Sequence, residues 1–312
     1  MDLFETKSIK PMLIKDIQEP FNSPDYIYEL KLDGIRCIAY LNETATDLRN
    51  KENDLLLPYY PELADIHVFT KGKCILDGEL VIIKNGVPDF FEMQRRMHLD
   101  DKIKIELAAR QYPASYVAYD ILYLNNKELI DLPLLRRKEI LEEVINENAK
   151  LAVTRYVWEY GIELHDFTKQ QNLEGVVGKG KDSKYYFDAE TKNWITFKNW
   201  GNRNFVVCGY IRKEKGITSL ILGQYRGTEL LYKGHVTLGV PLNFASEYNL
   251  KKIDSSPFRL TPSCGKEAIW LNPELVCEIH YMPNKKGRPC KPVLRGIREG
   301  KNPFECQEEP KK

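Results

Sequence analysis

Residues 26–41, Tyr-Ile-Tyr-Glu-Leu-Lys-Leu-Asp-Gly-Ile-Arg-Cys-Ile-Ala-Tyr-Leu, constrain the fold of this chain more than any other stretch. Two runs rich in tyrosine, isoleucine and leucine predict strands, and a short polar segment separates them. A lysine held there, Lys31, would be partly shielded from water, and burial beside another cation favours the neutral, nucleophilic amine. Gly34 would let the backbone approach a phosphate, and Arg36 would hold that phosphate with its planar guanidinium. The alternative is a simple Asp-Gly turn flanked by two surface cations.

The composition sets the class of protein. The 312 residues suffice for two domains, and a hydrophobic share of 43% can build ordinary cores. The 46 lysines and arginines nearly balance 45 acids, so only local clustering can indicate a polyanionic partner. Seven cysteines without a C-x-x-C pair argue against a disulfide framework and against a zinc site. The sequence has neither a signal-peptide core nor an apolar run long enough to span a membrane, so we expect a cytoplasmic protein.

Two apolar runs contain acidic residues that need a reason. Residues 74–83 predict either one buried strand or a hairpin that turns at Asp77-Gly78. Glu79 counts against the hairpin, because a carboxylate followed by four apolar residues must face water or meet a partner. Residues 116–124 predict another strand, with Asp120 inside the run.

The regions between these strands show helical and turn patterns. Apolar spacing and capping residues predict helices over residues 89–98, 131–145 and 158–171. Residues 46–57 are polar and predict a turn region. Residues 175–181 fit the G-x-x-x-x-G-K spacing of a phosphate-binding loop, but Asp182 stands where a serine or threonine should hold magnesium. No apolar helix follows, so we reject a P-loop.

The composition changes near residue 200. Short β-rich runs separated by glycine turns then predict a small antiparallel barrel of the oligonucleotide-binding type, with strands at 205–211, 217–225, 229–240 and 274–281. Residues 281–301 contain a single acid, Glu299, and seven cations: Lys285, Lys286, Arg288, Lys291, Arg295, Arg298 and Lys301. The near absence of acids favours polyanion binding over a merely solvated face.

Five short motifs follow one another along the chain: Lys31-x-Asp33-Gly34-x-Arg36, Asp77-Gly78-Glu79, Tyr119-Asp120, Glu174-Gly175-Val176-Val177 and Trp194-Ile-Thr-Phe-Lys198. The ordered set resembles the covalent nucleotidyltransferases and is most similar to ATP-dependent DNA ligases, particularly the ligase modules of bacterial and viral nick-sealing and end-joining enzymes. The resemblance implies an α+β fold in two domains. Residues 1–200 would form a mixed-sheet nucleotidyltransferase (adenylation) domain, and residues 201–312 a small antiparallel β-barrel (OB-fold) with a basic C-terminal motif.

The resemblance also implies the chemistry, with ATP and Mg²⁺ (or Mn²⁺) as cofactors and nicked duplex DNA as the substrate. Lys31 would attack the α-phosphate of ATP and carry AMP, assisted by three further catalytic residues, Asp33, Arg36 and Lys198. The nucleotide would be bound by Glu29, Leu30, Arg49, Glu79, Tyr119 and Lys198. Metal binding would fall to Glu174 and Asp33. DNA binding would fall to Arg36, Arg49, Lys285, Lys286, Arg288, Arg295, Arg298 and Lys301.

Two departures from the ligase pattern bear on the first chemical step. Thr196 stands where ligases usually carry a lysine, and Gly300 stands where the basic C-terminal motif has an aspartate. In that family the C-terminal motif helps to orient pyrophosphate. We therefore predict self-adenylation that is slow relative to the sealing of a preadenylated nick.

Three other interpretations remain open at this point. An RNA ligase or a GTP-using mRNA capping guanylyltransferase would share the lysine core. An inactive nucleic-acid-binding module would have to retain Lys31, Glu79 and Glu174 by accident. The resemblance further implies a monomer that uses a hinge motion of the barrel. A partner protein that binds DNA ends or clamps the duplex would then supply additional contacts with the DNA.

Overall fold

The computed structural model describes residues 2–84, 86–213, 216–248, 250–263, 267–282 and 289–308. The chain divides into two compact units, Met1–Lys198 and Asn199–Lys312. Helices and strands occur together in an α+β arrangement in which sheets dominate. No helix among these residues is long and apolar enough to cross a membrane.

Six α-helices are present in the described part of the chain: α1 Leu3–Thr6, α2 Phe90–Met97, α3 Lys102–Gln111, α4 Leu134–Val144, α5 Gly161–Gln170 and α6 Phe244–Glu247. The strands of the first unit are β1 Leu13–Ile17, β2 Ser23–Leu30, β3 Ile35–Leu41, β4 Thr46–Arg49, β5 Cys74–Lys84, β6 Val87–Pro88, β7 Ala114–Leu124, β8 Lys127–Glu128, β9 Leu151–Val153, β10 Tyr156–Glu159, β11 Gly175–Gly180 and β12 Glu190–Lys198. The strands of the second unit are β13 Gly201–Arg212, β14 Thr218–Arg226, β15 Glu229–Val236, β16 Ile269–Met282 and β17 Cys290–Ile297.

The first unit contains two mixed sheets. The first sheet has the strand order β1-β12-β11-β2-β10, and the second has the order β4-β3-β5-β7-β8 with β6 and β9 attached. β1 pairs parallel with β12 and β9 pairs parallel with β7, whereas the other pairings are antiparallel. Because β2 and β3 belong to different sheets, residues 31–34 cross from one sheet to the other. The polar segment between β2 and β3 is therefore not a hairpin turn.

Alternation along the strands decides which residues face the space between the two sheets. In β3, Ile38 and Tyr40 pack in one apolar cluster with Ile27 and Trp194 of the first sheet. Their sequence neighbours Cys37, Ala39 and Leu41 pack in a separate cluster on the other face of the second sheet. Since successive side chains point to opposite faces, Arg36 shares the inner face with Ile38.

The structure tests several element predictions. The helices predicted over residues 89–98, 131–145 and 158–171 are present as α2, α4 and α5. β5 runs without interruption through Asp77 and Gly78, so the hairpin alternative is wrong. A glycine is needed there because a Cβ at position 78 would lie 2.7 Å from Cζ of Tyr116. The turn region predicted over 46–57 is also wrong in part, because Thr46–Arg49 form β4 and bury Leu48 against β3.

The second unit is built on one antiparallel sheet with the order β15-β14-β13-β16-β17. Its apolar core includes Val207, Leu222 and Ile279, and the curved sheet fits an OB-like fold. The basic segment seen in the sequence contains a strand that was not predicted, β17, which pairs with β16. Three of the predicted DNA-binding residues lie outside the described residues: Lys285, Lys286 and Arg288.

Candidate active site

Lys31 lies where three strands end side by side. It follows β2, and its backbone N–H donates to the carbonyl of Gly175 at 2.9 Å. Gly175 in turn lies opposite Lys198 across the β11–β12 pairing. Lys31 Nζ is 3.0 Å from Oε1 of Glu174, whose side chain is only 3% exposed. The neighbour found for the Lys31 side chain is thus a carboxylate rather than the expected cation.

Two glycines allow the strands of the site to approach closely. Gly175 has φ +142°, and a Cβ there would lie 2.0 Å from the carbonyl oxygen of Phe197. A Cβ on Gly34 would lie 2.0 Å from the carbonyl oxygen of Leu80. The sequence suggested that Gly34 makes room for a phosphate, whereas the structure shows that its backbone packs against β5.

The second sheet supplies a charged cluster centred on Arg36. The Arg36 guanidinium donates to both carboxylate oxygens of Asp77, at 3.1 and 2.7 Å. Tyr185 donates its hydroxyl to Asp77 Oδ2 at 2.7 Å, and Asp77 is fully buried. This network fixes the direction of Arg36 before any ligand binds.

Glu79 lies directly opposite Arg36 in the β3–β5 pairing. Burial raises the pKa of Glu79 to about 7, although the nearby cations Lys31 and Arg36 act in the opposite direction. The raised pKa of Glu79 beside charged partners makes this carboxylate a candidate for a functional role.

Glu29 is buried on the inner face of the first sheet, between two lysines. Lys179 Nζ lies 2.9 Å from Oε2 of Glu29, and Lys138 forms an ion pair with Oε1. Burial alone would raise the pKa of Glu29, but Lys138 and Lys179 outweigh it and the pKa is lowered. Lys179 also lies over the ring of Tyr119, 4.4 Å from its centroid, so the same lysine contacts both Glu29 and Tyr119.

The remaining nucleotide residues of the first unit occupy different positions. Leu30 is half-buried and pairs with Val176, and Asp33 is half-buried in the crossing segment. Arg49 lies on the edge strand β4, where its guanidinium donates to Asp47 at 2.9 and 3.2 Å. The structure therefore brings together six of the predicted residues: Lys31, Glu174, Arg36, Glu79, Glu29 and Tyr119. Arg49 lies apart from them on the edge strand β4, where it pairs with Asp47.

The three predicted DNA-binding cations of the second unit that the structure describes lie on β17 or just after it. Arg295 donates to Nδ1 of His280 at 3.1 Å, and Arg298 forms an ion pair with Glu278. Both arginines are exposed, and Lys301 is half-buried. Their role toward DNA stays a prediction.

Sequence reasoning missed two residues of the site, Lys138 and Lys179. Lys179 had a usable signal, because a lysine two residues after Val177 in a strand shares the face of Glu29. Lys138 had no such signal. It lies in an amphipathic helix at a position that the apolar pattern leaves out, and only tertiary packing buries it to 1% exposure.

Comparisons with known proteins show the family of this chain. The family model of the ATP dependent DNA ligase domain matches residues 7–198, and the chain therefore belongs to the ATP-dependent DNA ligase family. It is 28% identical over 207 residues to the SPbeta prophage-derived DNA ligase-like protein LigB of Bacillus subtilis, which covers 66% of this chain and 73% of LigB.

Two further relatives match nearly the whole chain. The multifunctional non-homologous end joining DNA repair protein LigD of Mycobacterium tuberculosis is 28% identical over 329 residues, which covers 98% of this chain and 41% of LigD. The solved structure of mycobacterial DNA ligase D complexed with ATP and MES superposes with a TM-score of 0.57 at 25% identity, covering 97% of this chain and 99% of that one. This chain thus spans less than half the length of LigD.

Proposed function

We propose that this chain is an ATP-dependent DNA ligase that seals nicks through a covalent lysine–AMP intermediate and a DNA-adenylate. The observation that carries the proposal is the meeting of Lys31 and Glu174 at 3.0 Å, with Glu79 close to both. Membership of the ATP-dependent DNA ligase family supports the same activity.

In the first step the amine of Lys31 would attack the α-phosphorus of ATP. An N–P bond forms, the P–O bond to the β-phosphate breaks, and pyrophosphate leaves with the electron pair. Lys31 must first lose its proton to solvent, which its partly exposed side chain reaches, while the Glu174 oxygen at 3.0 Å would orient the amine. Because charge accumulates on phosphate oxygens in such transfers, we assign Lys198 and Arg36 to its neutralisation.

The base and ribose would be bound by residues of both sheets. Tyr119 offers a ring on which the adenine can stack, and the ionised Glu29 accepts hydrogen bonds but cannot donate them. This property suits the donor amino group of adenine. We assign Leu30, Arg49 and Glu79 to the remaining contacts with the nucleotide.

The residues present suit the magnesium ion that the family implies. Mg²⁺ prefers oxygen ligands and usually binds through one or two carboxylates together with substrate phosphates and water. Glu174 and Asp33 would supply those carboxylates, and the described residues contain no cluster of three or more potential ligands that would form a closed site. When bound, Mg²⁺ or Mn²⁺ would neutralise charge on the phosphate oxygens.

Two further transfers would complete the reaction on DNA. A 5′-phosphate oxygen at the nick attacks the α-phosphorus, and the Lys31 amine leaves. The 3′-hydroxyl then attacks the 5′-phosphorus, a P–O bond forms between the strands, and AMP leaves. We assign the grip on nick phosphates to Arg36 and to Arg49, together with Arg295, Arg298 and Lys301 of the second unit.

The natural context of this activity is proposed from the relatives. One relative bears a name that places it in non-homologous end joining, so we infer that broken duplex ends are substrates beside nicks. A partner protein that binds ends or clamps the duplex would hold such ends together. The ligase itself would act as a monomer.

A singly nicked duplex with a labelled 5′-phosphate tests the proposal. The wild-type protein with ATP and Mg²⁺ should convert the labelled strand to the joined length, and Lys31→Ala should not. Lys150→Ala, which removes a surface ion pair with Asp65, serves as the matched control, because neither residue is assigned to the site. Joining of only nicked RNA would favour an RNA ligase, and joining of neither substrate would contradict the proposal.

A further inference from the structure

The residue to which we assign adenine binding, Glu29, belongs to a buried cluster of three charged side chains. We name it the Glu29 clamp, and it consists of Lys138, Glu29 and Lys179. Lys138 belongs to α4, and its Nζ donates to Oγ1 of Thr154 at 2.9 Å in addition to pairing with Glu29. The three side chains of the clamp are each no more than 2% exposed.

The clamp gives each oxygen of one carboxylate its own cation. Oε1 pairs with Lys138 and Oε2 with Lys179, so the carboxylate cannot rotate without losing an ion pair. Burying two cations around one anion is costly because all three groups lose their hydration, and removing one partner leaves the others poorly compensated. Here the two lysines keep Glu29 ionised, since they lower its pKa against the effect of burial.

The two lysines are not equivalent in position. Lys179 belongs to β11 and lies over Tyr119 and Trp194, 4.4 and 4.1 Å from the ring centroids. Lys138 approaches from α4 and is anchored by Thr154. The neighbouring residue on α4, Arg137, donates to both oxygens of Asp120 at 2.8 Å, so this part of the helix is tied firmly to β7.

We propose that Lys138 is a positioning residue that fixes Glu29 as an acceptor for the 6-amino group of the base, and thereby sets the preference for adenine nucleotides. The inference rests on the proposed function. A hydrogen-bond acceptor held in place binds a base with a donor at position 6 more tightly than a base with an oxygen there. If Lys138 is removed, Glu29 keeps only Lys179 and is free to turn away from the base.

Base preference in self-adenylation measures this role. The rate and the half-saturating concentration are measured in single turnovers with ATP, with purine riboside triphosphate, which lacks the 6-amino group, and with inosine triphosphate. For Lys138→Met we expect about a tenfold or larger rise in the half-saturating ATP concentration, since a hydrogen bond to a charged group is loosened. The maximal rate, and both constants for purine riboside triphosphate, should stay within about twofold of wild type.

Three companion variants make the result specific. Lys138→Arg should restore part of the ATP preference, because it retains the charge. Thr154→Val should shift the preference in the same direction as Lys138→Met, and it carries the test if the methionine variant does not fold. Arg136→Met changes an exposed neighbour on the same helix, whose partner is Glu139, and should behave like wild type.

Two outcomes would overturn the inference. If Lys138→Met weakens ATP and purine riboside triphosphate equally, or changes neither, Lys138 has no part in base choice, whereas the proposed ligase chemistry stands. If wild-type protein takes no label on Lys31 from any nucleotide, the proposed function fails and this inference fails with it.

Discussion

Glu79 shows how a single residue can couple the site to pH. Its pKa lies at about 7 in the folded chain instead of 4.5, because burial penalises the ionised form. Between these two values the folded state binds more protons than the unfolded state. Stability contributed by Glu79 is therefore lost as the pH rises from 4.5 to 7, and above pH 7 the full penalty applies.

Removing the charge at Glu79 should remove this penalty. In nucleotide-free protein, Glu79→Gln should become more stable relative to wild type as the pH rises from 4.5 to 7, by at most about 3 kcal/mol. Urea unfolding at pH 4.5, 6 and 8 measures the difference, and Glu43→Gln on the surface is the control. A difference that does not change with pH would show that Glu79 is hydrated in the folded state.

At the residue scale, the sequence indicated which residues come together better than it indicated which side chains each of them contacts. The short motifs singled out Lys31, Glu79 and Glu174, and the structure brings these three together. The partner of Lys31 was not predictable, since no spacing rule links residue 31 to residue 174. Lys138 could not be found either, because helical periodicity assigns polar residues to the solvent side and cannot foresee a buried ion pair.

At the scale of elements, helix α4 holds β7 through one buried ion pair. Arg137 and Asp120 are both fully buried, and two hydrogen bonds of 2.8 Å join them. Arg136, one residue earlier, is exposed. The same helix thus offers a buried arginine and a surface arginine for direct comparison.

Truncating these two arginines should have very different effects. Arg137→Ala leaves Asp120 charged and unpaired in the interior, which should lower the free energy of unfolding by about 3–5 kcal/mol. Arg136→Ala removes only a surface pair and should cost no more than about 1 kcal/mol. Chemical denaturation of both variants measures the contrast, and similar losses would show that Asp120 finds another partner.

A second element prediction concerns the β11–β12 pairing beside Lys31. Gly175→Ala would place a Cβ 2.0 Å from the Phe197 carbonyl at φ +142°, so the strands must separate. We expect a loss of at least about 2 kcal/mol in stability and little remaining activity, because Glu174 and Lys198 would move. Gly227→Ala, at φ +61° but with open space around the Cβ, is the control. Retained strand joining by Gly175→Ala would contradict this account.

Periodic patterns were sufficient for three of the longer helices and failed at others of similar length, such as α3, and at several strands. The helices α2, α4 and α5 carry caps or apolar spacing that the sequence displays. β4 was missed because polar residues dominate it, and β17 because Lys291, Pro292, Arg295 and Gly296 interrupt its apolar residues. An edge strand needs only alternate apolar positions, as Leu48 in β4 shows, and such a weak pattern is outweighed by turn-forming residues.

At the scale of the whole molecule, the proposed chemistry belongs to the first unit, whereas the residues proposed to bind DNA are divided between Arg36 and Arg49 of the first unit and basic residues of the second. Thr196 is buried in β12, opposite Val177, which lies opposite Glu29 on β2. A threonine in this row adds no positive charge for the α-phosphate. Thr196 is thus one departure from the ligase sequence pattern, and Gly300 is a second departure.

The missing cation should slow one step of the cycle more than the others. We expect transfer of AMP to the protein to be slower than the sealing of a preadenylated nick by the same preparation, because the first step has the greater need for charge neutralisation. Single-turnover rates of the two reactions, measured at saturating ATP and DNA, decide this. Comparable rates would show that other cations replace the lysine.

The most direct test of the central claim is the mass of the intact protein after incubation with ATP and Mg²⁺. The account predicts a single added AMP, located on Lys31 by peptide mapping, absent from Lys31→Ala and removed when nicked duplex DNA is added. An AMP adduct that persists in Lys31→Ala, or a wild-type chain that seals nicks without forming any adduct, would contradict it.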